Sequence, residues 1–162
     1  MPKIVSTENQ RDINNGAVVV AGGFSQGVRS LELNSLNDGD IVTIPAPGFQ
    51  VLSRKIRGSE NTFEYVNVDV ERNGNPTVGQ LTPGIFWRNL EVADANGNGT
   101  GDRKVASGDV VDAVQNYADL NQFFADNAGK KFKVTYGPQF MAVGFNGGPA
   151  RKARVATLSW VN

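Results

Sequence analysis

The sequence predicts a small, mainly β domain with a single α-helix in its last third. Three observations carry that reading. The run "NTFEYVNVDVER" (61–72) alternates with the period of a strand: Val66, Val68 and Val70 share one face, and Phe63, Tyr65, Asn67, Asp69 and Glu71 the other. From Ser107 the period lengthens, and Val110, Val111, Val114, Tyr117, Leu120 and Phe124 recur at spacings of three and four, the stripe of an amphipathic helix. Between the periodic runs, Gly and Asn gather in turn-like clusters, with 19 glycines in all and no internal repeat. At 162 residues the chain makes one domain, residues 1–162, large enough to bury a core.

Taken in order, "AVVVAGG" (17–23) reads as a short buried strand stopped by Gly-Gly, and "SLELNSL" (30–36) alternates Leu31 and Leu33 with polar neighbours. "NDGD" (37–40) is a turn and "IVTIP" (41–45) a strand closed by proline. "FQVLSRKIRG" (49–58) and residues 61–72 are two further strands, "NGNP" (73–76) is turn punctuation, and "GIFWRNLEVAD" (84–94) is a third strand of this block. "DANGNGTGD" (94–102) is a loop. The helix spans about 107–128, with Ser107 as N-cap, Asp109 and Asp112 near its positive end, and Gly129 as its stop. "KKFKVTYG" (130–137), "PQFMAVGF" (138–145) and "RVATLSWVN" (154–162) return to strand character.

That order, three β-runs, a helix, then two or three β-runs, resembles the OB-fold, a five-stranded Greek-key barrel with a helix between its third and fourth strands. The resemblance covers residues 46–162 and rests on element order. Residues 1–45 then supply an N-terminal β arm or hairpin. In this scheme "NGGPARKAR" (146–154) is the turn joining the fourth and fifth strands.

Composition removes several function classes. The chain has no Cys and no His, so disulfides, thiol chemistry, the usual triad base and the commonest transition-metal ligands are absent. "GFSQG" around Ser25 therefore lacks the base that a nucleophile elbow needs. Asp94, Asn96, Asn98 and Asp102 have calcium-loop spacing, but Val105 stands where a bidentate Glu belongs. No glycine cluster matches a phosphate loop. No apolar run approaches the ~20 residues of a membrane span, and the polar start lacks the core of a signal peptide. The expectation is a protein without catalytic residues, metal, cofactor or small-molecule substrate, hence not an enzyme.

What remains is charge. Sixteen cations balance sixteen anions, yet residues 129–162 hold Lys130, Lys131, Lys133, Arg151, Lys152 and Arg154 and no Asp or Glu. We read Lys131, Lys133, Arg151, Lys152 and Arg154, with Phe63, Tyr65 and Trp87 as outward aromatics needing cover, as a partner-binding surface. The acidic stretch Glu60–Glu71 of a neighbouring copy is a complement of the right sign, and the polar stretch 1–16 is expected in a subunit contact. In composition and architecture the chain resembles the small β-rich auxiliary (decoration) capsid proteins of bacteriophages. That resemblance implies a non-enzymatic structural protein of the virion, made in the host cytoplasm and docking on other capsid subunits. The alternative is a cytoplasmic OB-fold protein binding single-stranded nucleic acid, with Phe63, Tyr65 and Trp87 stacking on bases and the basic turn on phosphates. Zero net charge and the nearby Asp69 and Glu71 weigh against it.

Overall fold

The computed structural model describes residues 18–20, 23–24, 35–55, 62–144 and 147–162. The fold is mainly β, as expected, with its strands divided between two antiparallel sheets. The larger sheet takes β1 (Val18–Val20), β2 (Ile41–Thr43), β3 (Val51–Lys55), β4 (Thr62–Arg72), β5 (Asn75–Leu81), β8 (Lys131–Tyr136) and β11 (Ala156–Trp160). Its order is β1-β3-β4-β2-β8-β11, with β5 added on β4. The smaller sheet runs β10-β9-β6-β7, from β6 (Asn89–Ala93), β7 (Gly99–Val105), β9 (Phe140–Ala142) and β10 (Arg151–Ala153). A one-turn helix, α1 (Gly84–Trp87), and a ten-residue helix, α2 (Tyr117–Asp126), complete the described elements apart from a 3-10 turn at Val111–Ala113. Among the described residues the pairing gives two open sheets rather than one closed ring.

The alternation read from the sequence builds the core. Phe132, Val42 and Val70 lie in one row across β8, β2 and β4, and all three are buried. Val134 and Leu158 make the neighbouring pair. Helix α2 closes this face with Leu120, Phe123 and Phe124. The Phe124 ring meets Phe24, Phe49 and Phe86 edge-on at 5.8, 5.5 and 6.3 Å, the tilted geometry that aromatic quadrupoles favour.

The turn at 37–40 is fixed by an internal ion pair. Asp40 is 1% exposed. It accepts hydrogen bonds from Arg72 Nε (2.9 Å) and Nη2 (2.7 Å), and from the Asn37 backbone N–H (2.7 Å). Burial alone raises the Asp40 pKa; the Arg72 and Asn37 hydrogen bonds and the guanidinium charge outweigh it, and the carboxyl is held below its ordinary value. The same turn joins β8, with Gly39 N–H donating to Val134 C=O and Val134 N–H to Asp40 C=O.

The structure corrects several local expectations. The helix expected over 107–128 is confined to 117–126. Ser107 is instead bridged to β11: its N–H donates to Ala156 C=O and its C=O accepts from Leu158 N–H. Asn116 then starts the helix, its side chain accepting from Asp119 N–H at 2.8 Å. The loop expected over 94–102 shrinks to a hairpin turn, since β7 begins at Gly99. "GIFW", expected as strand, forms α1, and "NPTVGQL" forms the unexpected strand β5. Pro76 is tolerated there because, among the described residues, β5 pairs with β4 alone. The expected contacts of residues 1–16 and the run 30–34 lie outside the described residues.

Candidate functional site

The acid-free C-terminal quarter does not form one patch. Lys131 and Lys133 stand exposed on the outer face of β8. The cations of residues 151–154 sit elsewhere, because the expected exposed turn is partly a strand: β10 pairs with β9 through Arg151–Ala142, Lys152–Met141 and Ala153–Phe140. Lys152 and Arg151 therefore point to opposite faces. Lys152 is exposed and Arg151 half-buried.

The chain leaves the small sheet at Ala153 and enters the large one at Ala156. At this crossing lies a cleft of about 240 Å³. Its wall is made by Leu36, Tyr136, Gln139 and Ala153 together with three cations, Arg88, Lys152 and Arg154. No carboxylate contributes to the wall. Beside the cleft, Asp38 Oδ1 accepts from the Tyr136 backbone N–H at 2.7 Å.

Each cation has a local reason for its position. Arg88 follows α1 directly, and its carbonyl accepts from Ala106 N–H at 2.8 Å, which ties it to the segment after β7. Lys152 is set by the β10–β9 ladder. Arg154 Cζ lies 4.4 Å from the Tyr136 ring centroid, so the ring face supports the guanidinium from one side. Neither Lys152 nor Arg154 has an ion-pair partner among the described residues. Three cations around one small concavity create a positive potential there although the whole chain is neutral.

A second, broader groove of about 720 Å³ has Ile41, Glu71, Asp109, Lys130, Lys131 and Trp160 in its wall. Two acids face two lysines there, so the charges largely cancel.

The expected aromatic platform is not assembled. Phe63 and Tyr65 are buried, at 6% and 0% exposure. They do occupy the face opposite Val66, Val68 and Val70, but the chain itself covers them. Their rings lie 5.6 Å apart, Leu52 is buried opposite Tyr65, and the Arg54 guanidinium sits 5.4 Å from the Tyr65 centroid. Trp87 packs elsewhere, against Tyr117 at 4.8 Å and Phe86 at 6.3 Å. The calcium-like loop also has another role. Asp94 Oδ1 accepts from Asn96 N–H (2.8 Å) and Asn98 N–H (2.9 Å), capping the hairpin turn.

Of the residues singled out in the sequence, the cleft brings together Lys152 and Arg154 and leaves out Arg151, Lys131, Lys133 and the three aromatics. Arg88, Tyr136 and Gln139 are additions. Arg88 and Gln139 both lay within expected strands, 84–94 and 138–145, and neither position carries a periodic signal.

No curated protein and no solved structure matches the chain. A protein-family model does: that of aminotransferase class I and II, over residues 3–85. This match overturns the expectation of a non-enzymatic capsid protein of a bacteriophage virion, and the nucleic-acid-binding alternative with it. The matched segment is just over half of the 162 residues, and the chain belongs to the aminotransferase class I and II family.

Proposed function

We propose that the chain is an aminotransferase-family protein whose basic cleft holds the carboxylate groups of a small amino acid or 2-oxo acid. The observation that carries this is the convergence of Arg88, Lys152 and Arg154 on one cavity without a carboxylate in its wall. Amino acids and 2-oxo acids share a carboxylate, and guanidinium groups match its two oxygens with paired N–H donors. Gln139 and Tyr136 add neutral polar residues to the wall beside the cations.

Pyridoxal phosphate, the cofactor that the family implies, asks for a lysine amine at its aldehyde and an Asp or Arg at its pyridine nitrogen. Lys55 is the one lysine of the matched segment among the described residues. It stands exposed on β3, outside the walls of both cavities. Lys152 is in the cleft with Arg88 and Arg154, but it lies outside the matched segment and stands exposed rather than enclosed. The described residues do not fit the cofactor. The reading therefore concerns ligand anchoring by the cleft.

Isothermal titration with 2-oxoglutarate, L-glutamate and inorganic phosphate tests it. Charge-assisted hydrogen bonds contribute about 1.5–3 kcal/mol each. Lys152→Ala and Arg154→Ala should then each weaken 2-oxoglutarate binding by roughly tenfold to a hundredfold, at about 1.4 kcal/mol per factor of ten. Saturable binding of neither carboxylate probe refutes the reading, and tighter binding of phosphate than of both carboxylates overturns the ligand assignment.

A further inference from the structure

The hairpin between β4 and β5 turns on two residues, Asn73 and Gly74, with Arg72 and Asn75 as its last ladder pair. Both turn residues are exposed, and both have positive φ, 53° at Asn73 and 79° at Gly74, as a two-residue hairpin turn of type I′ requires. Among the described residues, Asn73 is the one non-glycine residue in that region of backbone. The Gly74 N–H makes no hydrogen bond among the described residues, and nothing stands within 4 Å of where a Cβ at Gly74 would be. The Asn73 C=O accepts from Asn75 Nδ2 at 3.4 Å, which draws electron density from the Asn73–Gly74 peptide and makes its N–H more acidic.

We propose that Asn73 is a self-modification site, at which the Gly74 nitrogen attacks the Asn73 side-chain amide and the residue becomes aspartate or isoaspartate. The bond that forms joins Gly74 N to Asn73 Cγ. The bond that breaks is Cγ–Nδ2, and the departing NH2 group and the proton lost from Gly74 N leave as ammonia. Water then opens the five-membered imide at either carbonyl. Opening at the main-chain carbon gives isoaspartate, and opening at Cγ gives aspartate. Water is the only co-reactant.

The hairpin accommodates the ring as well as the attack. Ring closure sets the Asn73 ψ to about −120° while φ stays at about +60°, the first central position of a type II′ turn. Type II′ is the other two-residue turn whose twist suits paired strands. Gly74 then moves to a φ of about −80°, which glycine adopts as readily as its present value. β4 and β5 can therefore stay paired while the imide forms. Isoaspartate afterwards routes the main chain through the side-chain methylene, which lengthens the loop next to Arg72, the partner of Asp40.

Two other described Asn-Gly pairs, in the β6–β7 turn, are tied. Asn96 and Asn98 donate their N–H groups to Asp94 Oδ1 at 2.8 and 2.9 Å. The Gly97 N–H donates to the Asp94 C=O at 3.0 Å, so the nucleophile that follows Asn96 is occupied. The Asn98 C=O accepts from the Asp94 N–H at 2.7 Å, so both peptide groups of Asn98 are held. The Glu91 carboxylate lies against Gly99, where its charge opposes the negative nitrogen that attack requires. Asn15 and Asn146, which also precede glycine, lie outside the described residues.

Peptide mapping by mass spectrometry, after prolonged incubation of the folded protein at mildly alkaline pH, tests it. The amide-to-acid mass gain should accumulate at Asn73 roughly tenfold or more faster than at Asn96 and Asn98, because each of those must first break a hydrogen bond to the Asp94 carboxylate. Chromatography should resolve aspartyl and isoaspartyl forms of the Asn73 peptide. In guanidinium chloride the three rates should converge, since the dipeptide is the same. An unconverted Asn73, or equal rates at the three positions in the folded protein, overturns the proposal. So does a lead for Asn73 that survives denaturation, or a product that is aspartate alone, which would mean direct hydrolysis without the ring.

Discussion

Replacing Asp40 with alanine tests how the 37–40 turn ties the start of β2 to its two neighbours, β8 and β4. The substitution removes one bond to the Asn37 N–H and two to Arg72. Breaking a buried ion pair by removing one partner costs about 3–5 kcal/mol. The Arg72 side chain is 30% exposed and donates also to Ser35 C=O, so water and that carbonyl meet part of its need. The loss should then sit near the lower end, ~3 kcal/mol. For a domain of this length that is a fall of roughly 6–12 °C in Tm, at about 2–4 °C per kcal/mol. Urea denaturation followed by the fluorescence of Trp87 and Trp160 measures it. The pH dependence has a definite sign. The folded Asp40 carboxyl is held below the ordinary value of about 3.9. Its contribution is therefore complete above that value and is lost as pH falls through the lowered folded value. The gap between wild type and Asp40→Ala should be constant near neutrality and shrink in acid. A gap below ~1 kcal/mol at neutral pH, or one that stays constant as far into acid as the protein remains folded, would refute the reasoning.

Three other outcomes follow from the fold. Leu120→Ala should cost about 2–5 kcal/mol in chemical denaturation, since Leu120 is fully buried on the core face of α2, and a cost below ~0.5 kcal/mol would remove it from the core. Gly108→Ala should cost at least ~2 kcal/mol, because φ is +106° and a Cβ would run into the Leu158 backbone; Gly101→Ala, at φ +85° with open space around it, should cost only the strain, about 1 kcal/mol. Equal costs at the two glycines would contradict that. Calcium titration should show no micromolar site at 94–102, because the Asp94 carboxylate already caps two backbone N–H groups; saturable micromolar binding would contradict this.

The sequence was most legible where one face is buried. Val66, Val68 and Val70 alternate and all three are buried, as are Phe132 and Val134 on β8. It misled at the start of β4, where both faces are covered and Phe63 and Tyr65 go inside although the alternation puts them opposite the valines. The helical stripe named the right core residues, since Val110, Val114, Leu120 and Phe124 are buried, but not the right helix. Pairing of Ser107 with β11 and the capping preference of Asn116 interrupt the helix, and neither is visible in hydrophobic period. Glycine and asparagine hid β7, because an exposed hairpin strand has no apolar face to alternate. The cations of residues 129–162 were visible as a count. Their partition between the β8 face and the cleft depends on β10, a three-residue strand with no periodic signature, and on Arg88, which comes from 64 positions before Lys152.

The central claim, that the cleft at the crossing between the two sheets holds a carboxylate ligand, is tested most directly by where the ligand lands. Two-dimensional ¹H–¹⁵N spectra of the labelled protein, titrated with 2-oxoglutarate, read that position by position. Saturable shifts should appear at Arg88, Tyr136, Gln139, Lys152, Ala153 and Arg154, with no comparable change at Lys131 and Lys133 on the outer face of β8. Shifts spread equally over both groups of cations, or absent from the cleft, would contradict the account.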